Sequence, residues 1–397
     1  MQPRETRRGG RIEVRSRSLL RNHRELRQLL REYSLERSMA IMHDPHSGQA
    51  GSLKANSVAI LSDGSEVRGL GAIGPIAVVP WLESTAILLK RFAHLDGWPL
   101  GIRSQNNEEI LQVARSLTGG FGAVLLQGIA SERALELSER LQFTGIPVMH
   151  LEQSCASVLA MAAWFRYLYF SKQPGHNLRV VVEGKGCELP AMARSLLYLE
   201  RDQPGLQPPG DVVVIDEAGC LYPGRADLVQ PSVLAELAAV SNRTRFQGDA
   251  LELARQSNVW IHLGGRAESA EPGWLARLQQ NLPAGSLLID LRDISTAAEP
   301  GELAQATPTT AALPTLWPAP DETWPATLAA RIYPGVIAGS MRAGAVRIND
   351  RMYIAAAQAL ARLPAAPADL FADLFAEQLH TSIADAVFRA ATQSQLL

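Results

Sequence analysis

Cysteine is scarce in this chain. Its 397 residues hold three, Cys155, Cys187 and Cys220, far apart and forming no Cys-x-x-Cys pair. That excludes a disulfide framework, which a chain of this length does not need, and points to a reducing, cytoplasmic compartment. Cys155 and Cys187 have no basic or triad-like neighbours in sequence and are expected to be small packing residues. Lysine is nearly absent too, at positions 54, 90, 172 and 185 alone. Neither sign of charge dominates: the net charge of −2 gives no global electrostatic reason to seek nucleic acid or a membrane. The opening "MQPRETRRGGRIEVRSRS" has no apolar core segment of the kind a secretory leader carries. The longest apolar helix, "ASVLAMAAWFRYLYF" (156–170), contains Arg166 and is too short to span a bilayer, so it is expected in a protein core.

What is present is a soluble-type composition, 47% hydrophobic and 20% charged, and length for two cored domains. The first 37 residues hold eleven arginines against five glutamates, with leucines at helical spacing in "LLRNHRELRQLLREYSLER". Two readings fit: a solvated or intersubunit helical arm, or an arm for nucleic acid. The first is preferred, because both charge signs are interspersed. "HDPH" (43–46) reads as a surface turn made by Asp-Pro rather than a metal pair.

Buried strands alternate with helices along the rest of the chain, which predicts an α/β protein. "NSVAILS" (56–62) reads as a strand and "DGSEVRGLGAIGP" as a tight glycine-rich turn. "PWLESTAILLKRFAHL" (80–95) reads as a helix opened by Pro80. "EEILQVARSLTGGFGAVLLQGI" is helix, turn and strand, and "SERALELSERLQFTGIPVMHL" a helix with Ser131 as cap followed by a short strand. A second α/β unit is then expected to begin at 178–200, with further strands at 211–222, 257–265 and 286–293. An irregular Pro/Ala/Thr-rich connection follows at 296–327, and helices at 347–363 and 369–391.

"VVVEGKGCEL" places Gly184, Gly186 and Leu189 at the three positions of a G-x-G-x-x-G turn after a strand, and Asp216 ends the next strand. This is the layout of a dinucleotide site: tight turn, close backbone approach to pyrophosphate, and an acid for the ribose. Leu189 is too large for the third position. Glu188 puts an anion where a helix N-terminus would attract phosphate, and Lys185 offsets part of it.

These pieces, in this order, resemble the malic enzyme family, especially its bacterial type. The resemblance rests on "GRIEV" (10–14), "SDGSEVRGLGAIGPIAVVPWLESTAILLKRFAHLDGWPL" (62–100), "FGAVLLQGIASERALELSERLQFTGIPVMHLEQSCAS" (121–157), the "VVVEGKGCEL" and "VIDEAGCLY" strands, and "YPGVIAGSMRAGAVRIND" (333–350). It spans roughly residues 10–363. It implies an Arg-rich helical arm (1–55), a malic-enzyme-type α/β substrate domain (56–172), a Rossmann-type NAD(P)-binding domain (173–363) and a C-terminal helix (364–397), with a cleft between the domains. It also implies a homodimer.

The family's chemistry uses a divalent metal held by three carboxylates, a nicotinamide cofactor, a lysine base and a tyrosine acid to convert malate to pyruvate. Carried over position by position, the acid, the base and two of the three metal carboxylates are replaced. The acid position is Leu30, and Tyr33 would take it only with a slip of three residues. The base position is Thr85; Lys90 in the same helix lies about 140° around the axis and matches a separate family lysine. The metal positions are Gln127, Gly128 and Glu152, so one carboxylate of three survives. On the far side, the family's Ala-Asn-Pro loop falls near Asp293 and Ile294, and its Asn-Asn pair near Leu328 and Ala329. Arg68 replaces an apolar residue and is either an anion ligand or a surface charge. The expectation is a malic-enzyme-like protein without metal-dependent turnover of malate. Divalent metal is not expected, NAD or NADP binding is weakened, and the cleft or surface is kept for a small molecule or for an active malic enzyme as partner. The alternative is a divergent NAD(P)-dependent oxidoreductase of malate or another small hydroxy acid, with Glu152 or Arg68 in altered roles.

Overall fold

The run "SVAILS" forms β1 (Ser57–Ser62), in which every residue is buried. A strand apolar on both faces suits the middle of a parallel sheet, and β1 lies there. Its neighbours are β2 (Asp96–Gly101) and β3 (Ala123–Leu126), with β4 (Val148–His150) beyond, in the order β2-β1-β3-β4, all parallel. The computed structural model describes residues 10–44, 51–67, 69–229, 232–263, 271, 273–291, 316–317, 325–365 and 370–395. Pro45 and His46 of the "HDPH" turn, Arg68, Asp293 and Ile294 lie outside them.

Strand β2 was not legible as a strand in "DGWPLG". Pro99 cannot donate to a ladder on its open side, and β2 is accordingly an edge strand. The first crossover helix, α1 (Val79–Ala93), begins with Pro80 in its first turn and ends at His94 in the left-handed conformation. Helix α2 (Asn107–Leu117) is capped by Asn106, whose side chain accepts from Glu108 N–H. Helix α3 (Ser131–Arg140) corrects one expectation: Ser131 is its first helical residue, not its cap. The N–H and hydroxyl of Ser131 both donate to Glu66, whose carboxylate supplies the anion favoured at a helix N-terminus.

The apolar helix is α4 (Leu151–Ser171), capped by His150 and closed by Lys172 in the left-handed conformation. It is buried among the following elements, and among the described residues no helix is long and apolar enough to cross a membrane. The second sheet has the order β10-β9-β8-β5-β6-β7, formed by β5 (Arg179–Glu183), β6 (Asp211–Asp216), β7 (Gly219–Cys220), β8 (Val259–His262), β9 (Leu287–Asp290) and β10 (Leu316–Trp317). All pairs are parallel except the β6–β7 hairpin. This is the doubly wound order, with its direction reversal between β5 and β8. Helix α5 (Glu188–Leu197) follows β5 and packs on α4.

The chain then returns. Helices α6 (Pro325–Ala330), α7 (Tyr333–Arg342) and α8 (Asp350–Arg362, capped by Asn349) pack on α4, α1 and one another. The last helix, α9 (Leu379–Gln395), starts ten residues later than its periodicity suggested and lies across α7 and α8. One hydrophobic core runs from β1 through α4 and the second sheet to Val387 in α9. The N-terminal arm contributes little to it: helical from His23 to His43 with a π-helical middle (Leu29–Glu36), it has no buried residue.

Candidate functional site

In doubly wound sheets, ligands bind beyond the C-terminal strand ends at the point where strand order reverses. The first sheet reverses between β1 and β3, the second between β5 and β8. The two points share one cleft. Gln127 after β3 and Leu263 after β8 both line it, with α4 and the start of α5 between them. The cleft has a cavity volume of about 80 Å³, space for a handful of waters or one small molecule.

On the first-sheet side, Gln127 and Thr85 meet, 42 residues apart in sequence. The Thr85 hydroxyl on α1 donates to Gln127 Oε1 at 2.8 Å, and both side chains are buried. The buried Tyr333 hydroxyl donates to the Thr85 carbonyl at 3.3 Å, and burial pushes that phenol well above its ordinary range. Gly128 adopts φ +65°, and its N–H donates to Glu152 Oε1 at 2.9 Å. Glu152, in the first turn of α4, also stands 3.4 Å from His150 Nδ1. Burial lowers the His150 pKa to about 3, so at neutral pH this is a carboxylate beside a neutral ring, not an ion pair.

Lys90 does not approach this group: it pairs with Asp96 on the exposed side of α1. Leu30 on the arm is 59% exposed and does not line the cleft. Leu328 and Ala329 do line it, and Cys155 Sγ contacts the Ala329 carbonyl at 3.8 Å. All three cysteines are free and buried, as packing residues should be.

The second-sheet side has the expected turn. Gly184 (φ +158°) and Gly186 (φ +80°) follow β5, and a side chain at 184 would strike Leu263. Leu189 is buried in the core, and Glu188 opens α5 and faces the cleft. Asp216 ends β6 as predicted, but its carboxylate is occupied. Arg225 Nη1 donates to Asp216 Oδ1 at 2.8 Å, Arg225 Nη2 donates to Oδ2, and Ala218 N–H donates to Oδ1 at 2.9 Å. Asp227 holds the other edge of the same guanidinium. Lys185 lies on the surface, 3.5 Å from Glu217.

No protein-family model matches the chain. It is 27% identical over 404 residues to the bifunctional malic/malolactic enzyme of Bacillus subtilis, covering 97% of this chain and 90% of that one. It is 26% identical over 367 residues to the NAD-dependent malic enzyme of Geobacillus stearothermophilus, covering 89% and 70%. Its fold matches the crystal structure of an NAD-dependent malic enzyme from Thermotoga maritima with a TM-score of 0.78 over 96% of both chains, at 24% identity. In sequence and fold this chain is similar to malic enzymes over nearly its whole length. The two-domain α/β architecture with a Rossmann-type second domain is the family's, as the resemblance implied.

The fold thus gathers Thr85, Gln127, Gly128 and Glu152, drawn from three separate segments, at one end of the first sheet. The donor set does not suit Mg²⁺ or Mn²⁺ in the family's manner. It offers one carboxylate, already accepting from Gly128 N–H, and one amide oxygen, already accepting from Thr85. Among the described residues no three His, Cys, Asp or Glu side chains converge on a metal-sized space.

Sequence reasoning missed the apolar half of the site. Cys155 and Leu159, read from the sequence as packing residues, line the cleft together with Leu151 at four-residue steps along α4. It also missed Asp63, a buried carboxylate held 2.6 Å from Arg133, which ties the glycine-rich loop to α3. A third omission is Glu183, which accepts from Trp260 Nε1 at 3.0 Å and lies 2.9 Å from His262 Nδ1, pinning the β5 end beneath Gly184.

Proposed function

We propose that this chain is a member of the malic enzyme family that has lost metal-dependent oxidative decarboxylation of malate and is kept as a ligand-binding pseudoenzyme. The observation that carries this reading is the Thr85–Gln127 hydrogen bond. Where the resemblance places a lysine base and a metal carboxylate, two neutral side chains satisfy each other. A threonine hydroxyl is no base at neutral pH, and a neutral amide is a poor substitute for an anionic Mg²⁺ ligand. Leu30 at the acid position has no proton to give. The assembly is proposed as a cytoplasmic homodimer, with the arm (1–55), substrate-type domain (56–172), Rossmann-type domain (173–363) and C-terminal helix (364–397) as its parts.

The test is the absorbance of reduced cofactor at high protein concentration, with L-malate, Mn²⁺ and NAD or NADP, beside an active malic enzyme. A flat trace is expected. Metal-dependent turnover that co-purifies with the protein overturns the reading.

A second reading has its own support: Gly184 and Gly186 keep the turn at the reversal point of the second sheet, and the relatives are named for NAD- or NADP-dependent activity. It makes the chain a divergent NAD(P)-dependent oxidoreductase of malate or another small hydroxy acid. Fluorescence titration with NADH separates the two. Glu188 at the helix start, Leu189 at the third position and the occupied Asp216 favour weak or no binding.

A further inference from the structure

Among its described lining residues, the cleft that joins the two sheets is largely apolar. Its walls are Leu151 and Leu159 from α4, Met192 from α5, Leu263 beyond β8, and Leu328 and Ile332 from the returning segment. Among the described lining residues there is no Arg, Lys or His, while Glu152 and Glu188 are both present. A dicarboxylate would give up its hydration to enter such a space and gain no cationic partner from these residues.

Besides the two carboxylates, one neutral polar side chain lines this largely apolar cleft. Gln127 is 5% exposed, and the Thr85 hydroxyl engages its Oε1 at 2.8 Å. Its Nε2 is thereby directed away from Thr85. Among the described residues that nitrogen has no hydrogen-bond partner, and Gln127 lines the cleft. A donor held by a buried side chain at the reversal point of a parallel sheet, with apolar walls around it, asks for an acceptor on an otherwise apolar molecule.

We propose that the cleft binds an uncharged, largely apolar small molecule carrying one carbonyl-type acceptor, which takes the N–H of Gln127. The inference rests on the loss of malate chemistry argued above, and it names the ligand class that replaced the dicarboxylate.

The experiment is titration of the full-length chain with 2-heptanone, heptanoate and L-malate, followed by calorimetry and by emission of Trp81, which lines the cleft. Trp81→Phe identifies the emitting residue. The expected result is saturable one-site binding of 2-heptanone, at least tenfold weaker binding of heptanoate, and none of malate. Gln127→Leu, which cannot donate, should weaken 2-heptanone roughly tenfold. Ala156→Phe, which fills the cleft from α4, should abolish it with the circular dichroism spectrum unchanged. If Gln127→Leu fails to fold, Ala156→Phe carries the test alone. Absence of saturable ketone binding, equal or tighter binding of either carboxylate, or ketone binding indifferent to Ala156→Phe overturns the proposal. The cofactor-reduction assay keeps the failures apart. A flat trace with no ketone binding removes the ligand class and leaves the loss of activity standing, whereas malate turnover removes both.

Discussion

Gly128 shows how one residue holds the site in its present form. Its φ of +65° lies in the left-handed region, and a Cβ there would come within 3.1 Å of Ser62 Oγ and 3.2 Å of Val67. An acid at this position is therefore strained, and it would stand beside the Glu152 carboxylate. The double variant Gln127→Glu/Gly128→Asp should be destabilised by about 1–3 kcal/mol, measured by urea denaturation. It should also show no malate-dependent cofactor reduction, since Thr85 and Leu30 remain; turnover in that variant would show the acid and base positions to be misassigned. At the other reversal point, Asp216 and Arg225 form a nearly buried pair with side chains 12% and 8% exposed. Arg225→Ala leaves both Asp216 and Asp227 without their cation and should cost roughly 3 kcal/mol, again read from the urea midpoint. A neutral effect would mean that water reaches the carboxylate and the clasp is not structural.

Among the elements, α4 and α9 matter most to the cleft. The buried helix α4 turns one face to the core and a Leu151-Cys155-Leu159 stripe to the ligand space, so its sequence had to be apolar nearly all round. That composition made its burial readable and hid its second role, because periodicity separates buried from exposed and not core from pocket. The C-terminal helix α9 crosses α7 at two glycines. A Cβ on Gly339 would lie 2.4 Å from the Ala384 carbonyl oxygen, and one on Gly335 2.8 Å from Ile383. The helices approach this closely only because those side chains are missing. Gly339→Val should separate them at a cost of about 1–3 kcal/mol, seen as a lower melting temperature and faster hydrogen exchange in 379–395. Unchanged exchange there would mean that α9 has room to shift. Strand β2 was unreadable for a local reason: glycine, tryptophan and proline in six residues carry no alternation, and pairing with β1 alone makes them a strand.

At the level of the whole molecule, two buried histidines contribute to the response to acid. Burial lowers His150 to about 3, and burial is the main cause that lowers His380, which stacks on Phe92 of α1, to about 4. Both folded values lie below the ordinary 6.5. Unfolding therefore takes up protons below that pH, so stability is full above about pH 6.5 and is lost as pH falls toward the folded values. Between pH 6 and pH 4 the slope should approach about 1.4 kcal/mol per pH unit for each histidine. Urea midpoints at pH 7, 6, 5 and 4 measure it, and His150→Asn, which keeps a helix cap, should remove about half. The arm gives the other prediction at this scale. Leu30, Leu35 and Met39 are 59%, 57% and 49% exposed on a helical segment that buries nothing within its own chain. Sedimentation velocity should find a dimer in the wild type, and a larger monomer fraction in Leu30→Glu/Leu35→Glu; an unchanged distribution would place the interface elsewhere.

Most of the strands and helices, β2 excepted, the glycine turn at 184–186 and the family blocks from residue 10 to residue 363 were determined by the sequence alone. Each depends on spacing within a few turns of chain, where propensity and hydrophobic period act. Thr85, Gln127 and Gly128, the positions proposed as replaced, could be named in the same way. Only the tertiary structure decided that Thr85 and Gln127 satisfy each other, that Glu152 turns to the Gly128 backbone, that Asp216 is taken by Arg225, and that four-residue steps along α4 line a cleft. Those partners are distant in sequence or indistinguishable by pattern. Polar groups buried where two parallel sheets bring their reversal points together must pair with whatever the fold places beside them.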